Sequence, residues 1–241
     1  MDFSYKSYSV LLDILAEKGY TICGYHDWQS HETPVILRHD VDLSPDKALE
    51  MAEFESSKGI KSTYFFLLST DFYNPASLNN IRTITKIKNL GHEIGLHFDE
   101  LKYPPPEGGK NLSFYVINET NILSSVLGFP ITAVSMHRPS KMTLEADYSF
   151  KDAVNSYSKL FFSEFKYLSD SRRHWREPVM DIVKSGQYKK LHILTHPEWY
   201  GDASVSASEI LTDFISKASD ERRQYLNDNI TNLEELTGKD V

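Results

Sequence analysis

The stretch Arg38-His39-Asp40-Val41-Asp42 places two carboxylates and an imidazole at the end of the apolar run Pro34-Val35-Ile36-Leu37. Two like charges this close raise each other's pKa unless a cation lies between them, and a divalent metal is the simplest such cation. Three further apolar runs end on polar groups of the same kind: His97 followed by Asp99, His137 followed by Arg138, and His196 followed by Pro197-Glu198-Trp199. Carboxylates with neutral imidazoles are the donor set of zinc or a similar divalent metal. A solvated turn in which one Asp only caps the next helix is the competing reading, but Ser44 already stands at the cap position. His92 begins the run that His97 ends, so strand geometry places it at the opposite end, as a structural residue. His192 lies four residues before His196, on the same face but deep in its strand, and also reads as structural.

Bringing these groups together requires parallel strands whose carboxyl ends meet. Residues 35–40, 62–68, 92–97, 131–136 and 190–195 read as buried strands, and 20–23, 160–162 and 167–168 as short ones. Helices are predicted over 5–18, with Tyr8, Leu11, Leu12 and Leu15 in helical period, and over 45–58, with Ser44 as cap and Pro45 in the first turn. Others follow over 77–90, 114–127 and 180–184. Ser206 and Glu209 form a capping box that opens a long helix, running with a break to about Leu236. Strand and helix alternate, which predicts right-handed parallel crossovers, and four strands delivering His, Asp or Arg at one end is the layout of a barrel active site. The 99–112 segment, with Pro104-Pro105-Pro106 and Gly108-Gly109, predicts a loop acting as rim or lid, and 169–177 a polar loop. No linker composition appears, so residues 1–241 are read as one domain.

The 241 residues are 40% hydrophobic, enough for one large α/β core. A formal net charge of -8 argues against nonspecific nucleic-acid binding and against an anionic membrane surface. The single cysteine, Cys23, allows no internal disulfide and reads as a small core residue. No apolar run reaches the ~20 residues of a membrane helix, and Met1 to Lys6 lacks the pattern of a secretory signal. The expectation is a soluble cytoplasmic protein with no nucleic-acid partner and no membrane insertion; the oligomeric state is left open.

These motifs resemble the polysaccharide deacetylase superfamily, metal-dependent carbohydrate esterases, over about 35–199, and within it a branch with a His-Asp-Val-Asp first motif. The resemblance implies an α/β fold, a single-domain distorted (β/α) barrel with about seven parallel strands. In that family an Asp pair ends the first strand, one the general base and the other a metal ligand. Here the resemblance implies Asp40 as base and Asp42 as ligand, shifted by one because Val41 fills the usual ligand position. Residues 91–97, Gly-His-Glu-Ile-Gly-Leu-His, resemble the second motif and imply His97 as ligand. The family's next histidine falls on Leu101, so either another residue completes the shell or the metal is lost. His137 is the substitute ligand and Asp99 the other candidate. His137-Arg138-Pro139 resembles the third motif, implying that Arg138 orients and charge-balances Asp40. Residues 191–196 resemble the last motif, implying His196 as general acid, and 167–171 with Trp175 resemble the family's Asp-Trp groove wall.

The implied activity is metal-dependent hydrolysis of an amide C–N bond, zinc being the first candidate metal. It removes an N-acetyl group from a carbohydrate substrate, an amino sugar or an intermediate of surface-polysaccharide biosynthesis. Trp199 or Trp175 would stack on the sugar. Three other readings stay open: a different amide hydrolase on the same scaffold, a metal-free sugar-binding relic motivated by Leu101, and a soluble α/β domain whose strand-end polar groups are only caps.

Overall fold

In a computed structural model that describes residues 1–103 and 112–238, the strands pair side by side and all in parallel. They are β1 (Thr21–Cys23), β2 (Pro34–Val41), β3 (Thr63–Leu67), β4 (Glu93–Phe98), β5 (Ala133–Met136), β6 (Val154–Asn155), β7 (Lys166–Ser169) and β8 (Leu191–Thr195). Seven follow the order β6-β5-β4-β3-β2-β8-β7. β1 pairs with the first half of β2 and β3 with its second half. The helices between them are α1 (Tyr5–Glu17), α2 (Pro45–Ser57), α3 (Leu78–Asn89), α4 (Leu112–Leu127), α5 (Lys141–Ala146), α6 (Lys159–Ser163) and α7 (Val179–Ser185).

The sheet curls into a half-barrel. Strands in a flat sheet lie ~4.8 Å apart, which would put β6 nearly 20 Å from β2. Yet Arg38 on β2 donates at 2.8 Å both to Ser135 Oγ on β5 and to Ser156 Oγ just beyond β6. Strand alternation then sorts each strand into two faces. Ile36, Arg38 and Asp40 of β2, Phe65 of β3, Gly95 and His97 of β4, and Ala133 and Ser135 of β5 share the inner face by register. Gly95 is required there: a methyl group would run into the Phe65 ring and lie 2.9 Å from the Ala133 carbonyl oxygen. The other face, with Val35, Leu37, Tyr64, Phe66, Leu96, Val134 and Ile193, packs against the helices in the main core.

The helix boundaries follow local chemistry. Ser44 accepts from the Lys47 N–H with Pro45 in the first turn of α2, and Ser77 caps α3 in the same way. Residues 160–162, expected as a strand, lie in α6, which buries Phe161 but leaves Leu160 and Phe162 37% and 41% exposed. An apolar run this short does not separate strand from helix by period. The elements α5 and β6 fall outside the sequence expectation, being too short to show a period. The Pro104-Pro105-Pro106 and Gly108-Gly109 segment, expected as a rim or lid, lies outside the described residues.

The chain falls into two compact units, Met1–Ala203 and Ser204–Val241. The sheet and every candidate site residue belong to the first. The second is helical: α8 (Ala207–Asn229) opens on the Ser206/Glu209 capping box, and a break at 230–232 precedes α9 (Leu233–Thr237). Among the described residues no helix is long and apolar enough to cross a membrane.

Candidate metal centre

The carboxyl ends of β2, β4 and β5 bring Asp42, His97 and His137 together. His97 Nε2 lies 3.2 Å from Asp42 Oδ1, His137 Nδ1 lies 3.2 Å from the same oxygen, and the two ring nitrogens are 3.1 Å apart. Asp42 Oδ1 is buried and makes no properly angled hydrogen bond. Donor atoms on tetrahedral zinc, with bonds of ~2.0 Å, stand ~3.3 Å apart, and three facial donors of an octahedral ion with bonds of ~2.2 Å stand ~3.1 Å apart. The observed triangle, with its orphaned oxygen, therefore fits a divalent cation bound by three residues with further positions open. Asp42 is held well below the usual carboxylate range: burial pushes it up, but His137 and His97 outweigh that. Ser135 Oγ, 3.0 Å from His97 Nδ1, fixes the ring so that Nε2 faces the triad.

Asp40 stands on the inner side of this cluster, 2% exposed, with Oδ2 3.7 Å from His97 Nε2. Its partner is not the expected one. Arg38 Nη2 donates to Asp40 Oδ2 at 2.6 Å, whereas Arg138 Nη2 lies on Asp99 at 2.5 Å. The reason is strand geometry: residues two apart on β2 share a face, and a fully buried guanidinium must find a carboxylate. Ser135 Oγ adds a contact of 3.3 Å to Asp40 Oδ1. Burial alone would raise the Asp40 carboxyl, but Arg38, His97 and His196 hold it below its ordinary value. Asp99, the alternative ligand, is taken up by Arg138 and by the Leu101 N–H, and stands outside the triad. Leu101 itself is 65% exposed.

His196 follows β8 on the opposite wall. Its Nδ1 is 2.6 Å from Asp170 Oδ1 just after β7, and its Nε2 is 4.0 Å from Asp42 Oδ2. Asp170 is thus a buried imidazole partner, where the resemblance had implied a groove wall. Burial lowers the imidazole's proton affinity, but Asp170 outweighs it and raises His196 to about 10, which favours the protonated ring. Glu198 is buried beside it with Oε2 unpartnered, and burial pushes its carboxyl up to about 8 against the opposing charge of His196. His92 and His192 are structural. His92 contacts the Ser62 N–H and the Ala52 carbonyl, and His192 sits under the site against the Tyr25 hydroxyl at 2.7 Å. Trp199 packs against the main core, while Trp175 lines a cavity of about 370 Å³ next to the site.

Sequence reading missed Arg38, Ser135 and the Asp170–His196 bond. The signal for Arg38 was its even offset from Asp40; Ser135 and Asp170 carry none that separates them from other polar residues at strand ends.

No family model and no curated protein matches the sequence. Solved structures similar to it include a CE4 family pseudoenzyme from Bacillus anthracis, with 16% identity, 79% of this chain and 62% of that chain covered, and a TM-score of 0.44. A family 4 acetyl xylan esterase from Clostridium thermocellum, in complex with a cobalt ion, shows 16% identity over 78% of this chain and 84% of that one, at a TM-score of 0.40. The chitin deacetylase of the fungal pathogen Colletotrichum lindemuthianum shows 14% identity over 83% and 86%, at 0.42. The chain spans 62% of the length of the pseudoenzyme.

Proposed function

We propose that this chain is a metal-dependent hydrolase that removes an N-acetyl group from an amino sugar, with zinc as the first metal to test. The carrying observation is the Asp42, His97 and His137 triangle with its orphaned oxygen, flanked by Asp40 bonded to Arg38 on one side and the His196 imidazole bonded to Asp170 on the other.

A divalent cation bound there supplies Lewis-acid polarisation of the amide carbonyl and a water of lowered pKa. Asp40 accepts the proton of the attacking water, its other oxygen fixed by Arg38. His196 presents Nε2 to the cleft and donates its proton to the departing amine nitrogen. Asp170, on Nδ1, sets the orientation of the ring and stabilises its positive charge. The C–N bond breaks, water supplies OH to the acyl carbon, and the products are acetate and the free amine.

The test is elemental analysis of the purified chain beside Asp42→Ala and His97→Ala, followed by acetate release from N-acetylated sugars. The expected result is close to one metal ion per chain, lost in both variants, with acetate release that a chelator stops. No bound metal, together with no thermal stabilisation by added Zn, Co, Ni or Mn, overturns the reading in favour of the metal-free sugar-binding protein that Leu101 first suggested.

A further inference from the structure

We infer that the cavity beside Asp40 seats the sugar ring of the substrate and selects a ring that carries an anionic group, a carboxylate or a phosphate, through Arg176; this rests on the amino-sugar reading above. The cavity, about 370 Å³, falls within the range of small-ligand sites, and Pro139, Tyr157, Tyr167, Ser169, Trp175 and Arg176 are among its walls.

Its walls are continuous with the site. The Tyr157 ring lies 4.8 Å from the Arg38 guanidinium, and its hydroxyl is 3.4 Å from Nη2, the nitrogen that holds Asp40. Ser169 directly precedes Asp170, the partner of His196, and Pro139 directly follows Arg138. A ring in this cavity therefore lies against neighbours of the residues that hold Asp40 and His196, Tyr157 touching Arg38 and Ser169 preceding Asp170.

The lining chemistry suits a sugar. Three aromatic side chains offer faces for the C–H surface of a pyranose. The Ser169 and Ser171 hydroxyls lie 2.6 Å apart and Ser169 Oγ also accepts from the Ser171 N–H at 3.1 Å, which leaves the Ser171 hydroxyl with capacity for a sugar hydroxyl. The charge pattern narrows the choice. Glu177 also lines the cavity, but both of its oxygens lie 2.7 Å from Lys166 Nζ. Arg176 has no carboxylate within ion-pair distance among the described residues, so the cavity carries an unbalanced guanidinium in a chain of net charge -8. Its planar fork matches a carboxylate or a phosphate in two-point contact. The same loop holds Arg172 and Arg173 at φ 61° and 55°, a left-handed backbone that L residues rarely adopt and that persists where surrounding structure fixes it.

Three probes test this on the full chain without metal: N-acetylglucosamine, its 1-phosphate and N-acetylglucosaminuronic acid, each titrated by ligand-observed NMR at low salt. At least one anionic sugar is expected to bind about tenfold tighter than the neutral one, and the stronger of the two identifies phosphate or carboxylate as the group. Arg176→Gln is expected to erase that preference while keeping the affinity for the neutral sugar. Equal affinities in the unmodified chain, a preference that survives Arg176→Gln, or no binding of any probe overturns the assignment. Acetate release from the same sugars by the unmodified chain with added Zn keeps the two readings apart: anion-selective binding with no acetate release refutes the hydrolase and leaves the site.

Discussion

A single guanidinium dominates the electrostatics of Asp40, the proposed base. Arg38 is fully buried, bonded to Asp40, Ser135 and Ser156, and stacked near Phe65 and Tyr157. Arg38→Gln removes the guanidinium that does most to hold buried Asp40 down, so its carboxyl rises and the acid limb of the kcat/KM profile moves to higher pH. The rate is expected to fall ~10²-fold. Arg138→Gln, whose guanidinium rests on Asp99, leaves that limb in place. A pH–rate series on the two variants checks this, and a limb that moves only in Arg138→Gln reverses the assignment. The residues Asp40, Asp42, His97, His137 and His196 were all legible in the sequence, because charged groups closing apolar runs have no packing role. Arg38 was not, since only its even offset from Asp40 signals a shared face, and a buried arginine is not distinguished from an exposed one by sequence.

At the scale of elements, β2 serves two faces at once. Its inner residues build the site, and His39, on the outer face, ties β2 to α2 and β8: Nε2 lies 3.0 Å from Glu55 Oε1 and Nδ1 lies 2.6 Å from Thr195 Oγ1. Glu55, fully buried on α2, also accepts from the hydroxyls of Tyr8, Ser62 and Tyr64 at 2.6, 2.6 and 2.8 Å. Burial would raise this carboxyl, yet His39 and its other partners bring it down to about 2. A group whose folded pKa is depressed stabilises the fold above its unfolded value of about 4.3 and loses that contribution as pH falls toward the folded one. Denaturation midpoints are therefore expected to drop between about pH 4.5 and 2. Glu55→Gln should cost about 3 kcal/mol at neutral pH and flatten that acid decline; an unchanged slope in urea titrations run at several pH values would count against the network. The sequence placed most helices and strands to within a residue or two, because Ser caps, helical period and short apolar runs are local signals. It misread 160–162 and passed over β6, where an element of two to five residues is decided by its neighbours. The Glu55 network was invisible, since its donors come from α1, β2, β3 and the segment before β3.

At the scale of the whole molecule, the candidate metal centre is assembled only in the folded chain. Its three residues, His97 on β4 and Asp42 and His137 directly after β2 and β5, are 40 to 95 residues apart in sequence, so a cation held by them would bind the native state in preference to the unfolded one. At a hundred times its dissociation constant, such a ligand adds about 2.7 kcal/mol, or roughly 5–10 °C in Tm for a unit of this size. Thermal scans with and without added Zn are expected to show that shift in the unmodified chain and none in Asp42→Ala; equal shifts in both place the ion elsewhere. The sequence by itself determined the alternation of parallel strands and helices, the strand ends that carry chemistry, and the acidic balance, because period, caps and charge are properties of neighbours along the chain. The curl of the sheet was decided by the tertiary structure alone, and with it three further features: Arg38 rather than Arg138 against Asp40, Asp170 behind His196, and the cavity that displays Arg176. Asp170 with His196 and the cavity walls join side chains from different elements, and Arg38, although on the same strand as Asp40, is its partner because the fold sets Arg138 on Asp99; no local pattern encodes the distance between two strand ends.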